Sequence, residues 1–319
     1  MAHTAPFFHG IITAVVTPLK DQRTLDREGL ERLIEHLIAG GVHGLFPLGT
    51  TGEAPALPAT VRDEVIELTC RQVAGRVPVV VGVTDSSLVE ATRLARKARE
   101  LGADAIATAP PFYYPLAQDD ILHYFERLLE LAEMPLLLYN APGNTHHVIG
   151  VETVRRAAEV EGIIGLKDSG MNMSYFHEVR ACLRGRTDFS LLVGPEELLA
   201  ECVLLGGHGS MAAGSNIHPR LFVDLYEASV ANDMPRVLRL HDEVMAFGKA
   251  VYHGENPLRG LKRGLEILGI CGSLLTEPLP PYSDEETATL EEYLEQNRSR
   301  ILSATAHRTI ASDMTVRER

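Results

Sequence analysis

The chain has 319 residues, of which 45% are hydrophobic and 23% are charged, and its formal net charge at pH 7 is −13. This composition is typical of a soluble globular protein, and a chain of this length can bury a large core without disulfides or metals. The negative charge disfavours broad electrostatic binding to nucleic acid or to an anionic membrane, so we expect neither partner. A small anionic substrate is still compatible with it, because the field inside a pocket can oppose the charge of the whole molecule.

The cysteines and the amino terminus indicate the cellular compartment of the protein. Cys70, Cys182, Cys202 and Cys271 lie far apart and form no C-x-x-C pair, so the sequence indicates neither a zinc site nor a disulfide framework. The first residues lack the charged start, hydrophobic block and cleavage pattern of a secretory signal. No window reaches the roughly 18 unbroken apolar residues of a membrane span. The sequence therefore predicts a cytoplasmic protein.

Short apolar segments alternate with longer amphipathic ones over most of the chain. The predicted strands cover residues 10–18, 43–49, 77–84, 104–111, 135–142, 162–169, 189–195 and 207–215. The segments between them have apolar residues at the three- and four-residue spacing of helices, as in residues 26–41. Apolar strands joined by helical crossovers are typical of a parallel sheet covered on both faces. Eight such units in a row predict an α/β fold, a (β/α)8 TIM barrel.

The alternative architecture is a doubly wound open sheet. That fold usually carries a glycine-rich dinucleotide loop after its first strand, whereas here the first strand ends in Thr17-Pro18. Beyond residue 234 the pattern is only helical, over roughly 235–253, 257–270 and 283–303. We therefore predict a barrel over residues 8–233, additional C-terminal helices packed on it over 234–303, and a flexible tail over 304–319.

Barrel enzymes place their active sites at the carboxyl ends of the strands, so the polar residues there are the candidates. The second strand ends in Gly-Thr-Thr-Gly-Glu, residues 49–53. Together with the preceding residues this segment is close to the phosphate-binding pattern G-x-x-x-x-G-K-[ST]. Thr50 stands at the lysine position of that pattern, however, and carries no positive charge. The nucleotide-binding interpretation fails on that residue, and we expect Thr50 and Thr51 to hold something smaller.

Lys167 is the unusual residue among the strand ends, because it follows the apolar residues 162–166. A buried ammonium is costly, and the usual relief is a lowered pKa. A neutral lysine is a nucleophile towards carbonyl groups and forms a Schiff base. The alternative is an ion pair with Asp168 or with another carboxylate at the barrel mouth, which is the commoner role for an isolated lysine.

The residues at the neighbouring strand ends favour the catalytic interpretation. Tyr139 ends the fifth strand, and its hydroxyl could move the protons that Schiff-base formation requires. Its alternative role is that of a core aromatic residue with a backbone partner. Thr50 and Thr51 could relay protons to it or bind a carboxylate, and their alternative role is a capped turn. We expect Glu53 to support that turn rather than to act as an acid.

Two adjacent histidines, His146 and His147, follow the fifth strand. They could ligate a metal, but histidines in a loop more often face solvent, and no carboxylate lies at helical spacing from them. The sequence therefore predicts no metal site.

Five motifs carry a resemblance to a known family. They are GTTGE at 49–53, PFYYP at 111–115, YNAP at 139–142, GLKDS at 165–169 and GGHGSMAAGSN at 206–216. Together, and in this order, they resemble the dihydrodipicolinate synthase / N-acetylneuraminate lyase family of pyruvate-dependent class I aldolases. The resemblance extends from about residue 8 to about residue 300.

The resemblance implies a role for each matched residue. Lys167 would form the Schiff base with pyruvate or a 2-oxo acid, and Tyr139 would be the central proton donor and acceptor. Thr50 and Tyr113 would extend the proton relay, and the tyrosine matching Tyr113 reaches the neighbouring subunit's site in tetrameric members. The family implies no metal or organic cofactor, and it implies a homo-oligomer, either a dimer or a tetramer.

The residues that would bind substrate include one departure from the family. Thr51 would hold the pyruvate carboxylate, helped by the backbone near Gly194 and Met211. Asn144 stands where the synthases of lysine biosynthesis carry an arginine that grips the carboxylate of the aldehyde. An asparagine lacks the bidentate charged fork of arginine, so binding of a partner like aspartate semialdehyde should be weaker. The next residues, Thr145-His146, replace the usual Thr-Gly, which alters the loop.

The predicted function is therefore a pyruvate-dependent aldolase or lyase that acts on a hydroxylated 2-oxo acid and an aldehyde. The alternatives are a dihydrodipicolinate synthase of lysine biosynthesis, disfavoured by Asn144, and a sugar-acid dehydratase that uses the same imine. A catalytically silent barrel that binds an oxo acid and a metal-dependent class II aldolase are two further alternatives. Lys167, Tyr139, Thr50 and Thr51 argue against the silent barrel.

Overall fold

Parallel strands form the centre of the molecule, whose computed structural model describes residues 7–252 and 256–316, with side chains as far as residue 302. The barrel strands are β1 Gly10–Ala14, β2 Gly44–Phe46, β3 Val80–Gly82, β4 Ala105–Thr108, β5 Leu136–Asn140, β6 Ile163–Asp168, β7 Ser190–Val193 and β8 Gly209–Ser210. Each lies inside a segment predicted from the sequence. The observed strands are shorter, because the apolar stretches continue into the loops at both ends of the barrel.

The sheet has eight strands in the order β2-β1-β8-β7-β6-β5-β4-β3. All of its strand pairs are parallel. A single parallel bridge between Leu45 and Val79 joins the two edge strands. The predicted (β/α)8 barrel is therefore confirmed, and the alternative of a doubly wound open sheet is wrong.

Helices surround the barrel and continue beyond it. Their bounds are α1 Arg27–Ala39, α2 Ala59–Val73, α3 Leu88–Glu100, α4 Gln118–Ala132, α5 Pro142–Thr145, α6 Val151–Ala157, α7 Met173–Cys182, α8 Leu199–Leu204, α9 Pro219–Val230, α10 Met234–Val251, α11 Leu258–Ile267 and α12 Asp284–Val316. In the C-terminal part, α12 packs against α1, α9, α10 and α11. None of the helices in the described ranges is both long enough and apolar enough to cross a membrane. The predicted flexible tail, residues 304–319, lies outside the described side chains and stays a prediction.

Two apolar layers hold the barrel together. The larger one lies between the strands and the surrounding helices. The smaller one fills the inside of the barrel with side chains such as Ile12, Phe46, Leu137 and Leu192. Phe8 belongs to this inner layer, and its N–H donates to Ser190 Oγ at 2.8 Å. Since side chains alternate along a strand, the residue two positions after Leu137 also points into the barrel.

A short antiparallel hairpin, Leu19–Asp21 with Thr24–Leu25, follows β1 and was not predicted from the sequence. Gln22 lies at its turn. The side-chain amide of Gln22 donates to Leu275 O at 3.0 Å and accepts from the N–H of Glu277 at 3.1 Å. The hairpin thereby connects the first βα loop to the C-terminal part of the chain.

Candidate active site

Lys167 and Tyr139 are direct neighbours in the barrel, because they are paired in the register of β5 and β6. Lys167 Nζ lies 4.3 Å from the ring centroid of Tyr139 and 4.8 Å from that of Phe46. The lysine is only 4% exposed. The ammonium group thus lies against the faces of two aromatic rings. Such contacts stabilise a cation but do not supply the opposite charge of an ion pair.

The ion pair proposed as an alternative role for Lys167 is not formed. Among the described residues, Lys167 has no carboxylate within ion-pair distance. Asp168 Oδ1 instead accepts from Asn140 Nδ2 at 2.8 Å and from the N–H of Gly170 at 2.9 Å. Burial raises the pKa of Asp168, which those hydrogen bonds oppose. Asp168 therefore joins the ends of β5 and β6 and forms no ion pair with the lysine.

Tyr139 is placed to exchange protons. Its hydroxyl lies 3.2 Å from Thr50 Oγ1. Burial raises the pKa of Tyr139, but the Lys167 ammonium and the hydrogen bonds with Thr50, Ser169 and Lys167 outweigh burial, so the pKa lies below its ordinary value. A phenol that gives up its proton more readily is a better acid and base near neutral pH. Ser169 is a member of this site that the sequence analysis did not single out.

The turn after β2 exposes two backbone donors. The N–H of Gly52 donates to Gly49 O at 3.1 Å, and the N–H of Glu53 donates to Thr50 O at 3.0 Å. The N–H groups of Thr50 and Thr51, by contrast, have no acceptor within the described part of the chain. Two successive N–H groups without acceptors form a concave site that suits a small anion. The side chain of Thr51 is half-buried beside them.

Glu53 supports this turn through the C-terminal helices. Its φ of 57° lies in the left-handed region, and its Oε1 lies 2.5 Å from Lys262 Nζ on α11. The other carboxylate oxygen accepts from the N–H of Thr276 at 2.7 Å and from its hydroxyl at 2.8 Å. The expected supporting role is correct, but the sequence analysis did not foresee that the C-terminal extension supplies the partners.

Gly194 and Met211 lie beside the lysine. A Cβ at Gly194 would come within 1.9 Å of Ser169 Oγ and 3.3 Å of Lys167 Cε, so a larger residue would displace both side chains. Met211 is buried in the inner layer of the barrel. The N–H of Gly194 donates to Asp168 O at 2.7 Å, and that of Met211 donates to Val193 O at 2.8 Å. These two donors are already in use, in contrast to those of Thr50 and Thr51.

Tyr113 lies away from this group. It is 75% exposed and packs edge-on against Tyr114, with the ring centroids 5.0 Å apart. Within the described residues of this chain, no hydrogen bond connects Tyr113 to Thr50 or Tyr139. The relay role of Tyr113 therefore requires a second subunit and stays a prediction.

The two adjacent histidines have different environments. His146 is exposed, with a left-handed φ of 59°. His147 Nε2 accepts from the N–H of Leu116 at 2.9 Å, and its Nδ1 donates to Thr145 O at 2.7 Å. Both ring nitrogens of His147 are thus in use between two loops of the barrel mouth. The described residues include no group of three or more side chains placed to hold a metal ion.

A cavity of about 190 Å³ opens at the carboxyl ends of the strands. Thr50 and Tyr139 line its inner side, Asn144 lines its outer side, and Pro55 and Phe112 contribute to its walls. A larger groove of about 660 Å³ lies against α3 on the outer surface and contains none of these residues. Of these two spaces, only the small cavity reaches residues predicted to take part in the reaction, namely Thr50 and Tyr139.

Comparisons with known proteins agree with this geometry. The model of the dihydrodipicolinate synthetase family matches residues 7–297. The 4-hydroxy-tetrahydrodipicolinate synthase of Methylibium petroleiphilum is 35% identical over 291 residues, which cover 90% of this chain and 96% of that protein. That of Gluconacetobacter diazotrophicus is 32% identical over 287 residues, with 90% and 96% covered.

Solved structures show the same likeness. The structure of dihydrodipicolinate synthase from Bacteroides thetaiotaomicron is 45% identical, with a TM-score of 0.88, and the match covers 91% of this chain and 99% of that one. The enzyme from Aquifex aeolicus is 30% identical, with a TM-score of 0.86 and 91% and 98% covered. The predicted class, a carbon–carbon lyase of the aldolase type, is confirmed by these relatives. The chain belongs to the dihydrodipicolinate synthetase family.

Proposed function

We propose that the protein is a class I aldolase in which Lys167 forms an imine with pyruvate and the resulting enamine reacts with an aldehyde. The observation that supports this proposal best is the state of Lys167. It is buried beside the hydroxyl-bearing ring of Tyr139, and it has no carboxylate partner among the described residues. A lysine in that position is available for attack on a carbonyl carbon.

The chemistry balances without an added cofactor. The amine of Lys167 adds to the keto carbon of pyruvate, and loss of water gives the imine. Removal of one methyl proton gives the enamine, whose terminal carbon attacks the aldehyde carbon. The electron pair of the aldehyde C=O bond moves to its oxygen, which takes a proton. Water then hydrolyses the new imine, releasing a 4-hydroxy-2-oxo acid and the free lysine, and cleavage is the same sequence in reverse.

Tyr139 is the proposed proton donor and acceptor in these steps. Its lowered pKa and its contact with Thr50 at 3.2 Å support a path for protons from the lysine towards the cavity. Tyr113 would extend this path from a neighbouring subunit. The exposed Tyr113–Tyr114 pair supports such a homo-oligomer, which would be a dimer or a tetramer.

The pyruvate carboxylate is proposed to bind at the turn after β2. The N–H groups of Thr50 and Thr51, which have no acceptor in the described part of the chain, and the Thr51 hydroxyl supply donors for its two oxygens. Gly194 and Met211 contribute on the opposite side by leaving room for the lysine and by forming the apolar floor. We propose that no metal or organic cofactor takes part.

Two observations concern the finer identity of the enzyme. The relatives carry the name 4-hydroxy-tetrahydrodipicolinate synthase, which supports that synthase as a second candidate function. Asn144 at the mouth of the cavity favours a different aldehyde. We also propose a cytoplasmic location, which is supported by four cysteines that are all free thiols.

Exchange of the pyruvate methyl protons with D₂O tests this proposal without knowledge of the aldehyde. We expect NMR to show exchange at neutral pH that persists in EDTA and disappears in Lys167→Ala. Exchange that EDTA abolishes would support a metal-dependent class II enzyme instead. No exchange at all would support a barrel that only binds an oxo acid.

A further inference from the structure

The cavity that Tyr139 lines at the barrel mouth has a largely apolar surface. Its volume of about 190 Å³ is small compared with the roughly 300 Å³ or more of most ligand pockets. Six of its twelve lining residues in the described part of the chain have apolar side chains, namely Leu48, Ala54, Pro55, Ala109, Phe112 and Ala141. None of the described residues that line it carries a positive charge. Such a wall suits a short substrate with an uncharged end.

Most polar side chains of the cavity wall already have hydrogen-bond partners within the chain. Thr84 Oγ1 accepts from the N–H of Ala109 at 2.9 Å, and Thr145 Oγ1 donates to Ala141 O at 3.1 Å. Thr50 is in contact with the Tyr139 hydroxyl. The carboxamide of Asn144 is the one polar side-chain group of the described lining with no partner in the chain. It can orient a neutral hydroxyl or carbonyl but cannot neutralise an anion.

His147, whose ring contacts the lining residue Thr145, does not supply a partner for an anion. Its Nε2 accepts a backbone hydrogen bond from Leu116 while its Nδ1 donates to Thr145, so neither ring nitrogen is available to a substrate. The amine of Lys167 is consumed by the imine. A second carboxylate, carried by the aldehyde, would therefore lose its hydration against apolar walls without gaining a charged partner, which is strongly unfavourable.

We infer that the second substrate is a small aldehyde without a carboxylate, whose uncharged end lies against Pro55 and Phe112 and whose polar atoms, if any, face Asn144. This inference rests on the proposed imine chemistry and adds the chemical class of the acceptor. It separates this protein from a synthase that grips a carboxylated aldehyde.

A matched pair of aldehydes tests the inference. Butanal and 4-oxobutanoate have the same chain length, and they differ in a terminal methyl against a terminal carboxylate. With pyruvate saturating, we expect kcat/KM for butanal to exceed that for 4-oxobutanoate by at least about tenfold, because only the anion loses hydration without compensation. Formation of the 4-hydroxy-2-oxo acid is followed by mass spectrometry, with aspartate semialdehyde as a second carboxylated substrate.

A matched pair of variants tests whether Asn144 causes the preference for an uncharged aldehyde. Asn144→Arg places a guanidinium at the mouth of the cavity, and the preference for butanal should fall by about tenfold or more. Asn144→Gln keeps an amide and should leave the preference within about threefold of wild type. The ratio is taken within each protein, so a change in overall activity does not affect it.

The outcomes separate the two proposals. If the wild-type protein catalyses no exchange of the pyruvate methyl protons, the proposed imine chemistry itself is overturned. Exchange with equal or better use of 4-oxobutanoate or aspartate semialdehyde would overturn only the inference about the aldehyde. Exchange with no reaction of either four-carbon aldehyde would overturn it too, because the cavity is then not shaped for a small neutral acceptor.

Discussion

Two buried lysines occupy opposite circumstances in this molecule. Lys262 on α11 is 0% exposed, contacts Glu53 at 2.5 Å, and donates to Leu274 O at 2.6 Å. Burial lowers the pKa of Lys262, and the Glu53 carboxylate opposes that shift. Lys167 at the end of β6 is 4% exposed and lies against two aromatic rings, without an ion pair among the described residues.

The difference supports the proposal that the unpaired lysine, and not every buried lysine, is the reactive one. The carboxylate of Glu53 holds the Lys262 ammonium in place, so the charge of Lys262 stabilises the contact between the barrel and the C-terminal helices. Lys167 instead lies beside Tyr139, a phenol that lines the small cavity at the barrel mouth. An unpaired buried amine in a cleft indicates function, whereas a paired one indicates structure.

The largest expected effect is that of Lys167→Ala. Turnover should fall by at least about 10³-fold, because no other group in the site can form the imine. The free energy of unfolding should change by no more than about 3 kcal/mol, the range of most point substitutions, since the variant leaves no carboxylate without a partner. Steady-state assays and urea unfolding measure the two quantities. Substantial remaining turnover would contradict the assignment of the two lysines.

Tyr139→Phe keeps the ring that contacts Lys167 and removes only the hydroxyl. We expect a loss of about 10²- to 10⁴-fold in turnover, the usual contribution of a positioned proton donor and acceptor. The exchange of the pyruvate methyl protons in D₂O should slow together with turnover. A variant with wild-type rates would show that Tyr139 serves only as a packing partner of the lysine.

Lys262→Met should act on stability. Removing the ammonium leaves the Glu53 carboxylate buried without its ionic partner, and we expect a loss of about 3–5 kcal/mol in the free energy of unfolding. The double variant Glu53→Gln with Lys262→Met should recover part of that loss, because neither charge remains. Urea unfolding measures all three proteins. If the double variant is no more stable than Lys262→Met, the two side chains are not energetically coupled.

A buried carboxyl that lacks a lysine gives the smallest expected effect. Glu196 accepts from the Tyr252 hydroxyl at 2.5 Å and from the N–H of Gly214 at 2.7 Å, and burial raises its pKa to about 7. The stability contributed by the protonated form is complete below the ordinary glutamate value near pH 4.5 and is lost as the pH rises through about 7.

Glu196→Gln should remove that pH dependence. Between pH 5 and pH 8 we expect the stability of the variant relative to wild type to rise by on the order of 2 kcal/mol, because the amide cannot ionise. Urea unfolding at several pH values measures it. Parallel profiles for the two proteins would show that Glu196 does not titrate in this range.

The eight strands and the positions of the proposed reactive residues could be predicted from the sequence for one reason. Each parallel strand is a short apolar run, and the residue that ends the run lies at the same edge of the sheet as the others. Lys167, Tyr139 and Thr50 follow directly from this rule, and the contact between the last two is confirmed. The same rule says nothing about the loops, so the exposed position of Tyr113 was not foreseen.

Contacts between segments that lie far apart in the sequence could not be predicted from it. Glu53 and Lys262 lie near opposite ends of the chain, and the pattern of α11 predicts only a helix there. The hairpin at Leu19–Asp21 is too short to give a periodic signal. Ser169 is adjacent to Lys167, but its place beside Tyr139 depends on the absence of a side chain at Gly194.

Trapping with borohydride in the presence of pyruvate tests the central claim most directly, because it asks which lysine forms the imine. We predict a reduced pyruvyl adduct on the peptide that contains Lys167, present in wild type and in Lys262→Met and absent in Lys167→Ala. An adduct that maps to another lysine, or no adduct under conditions that trap a known class I aldolase, would contradict the account.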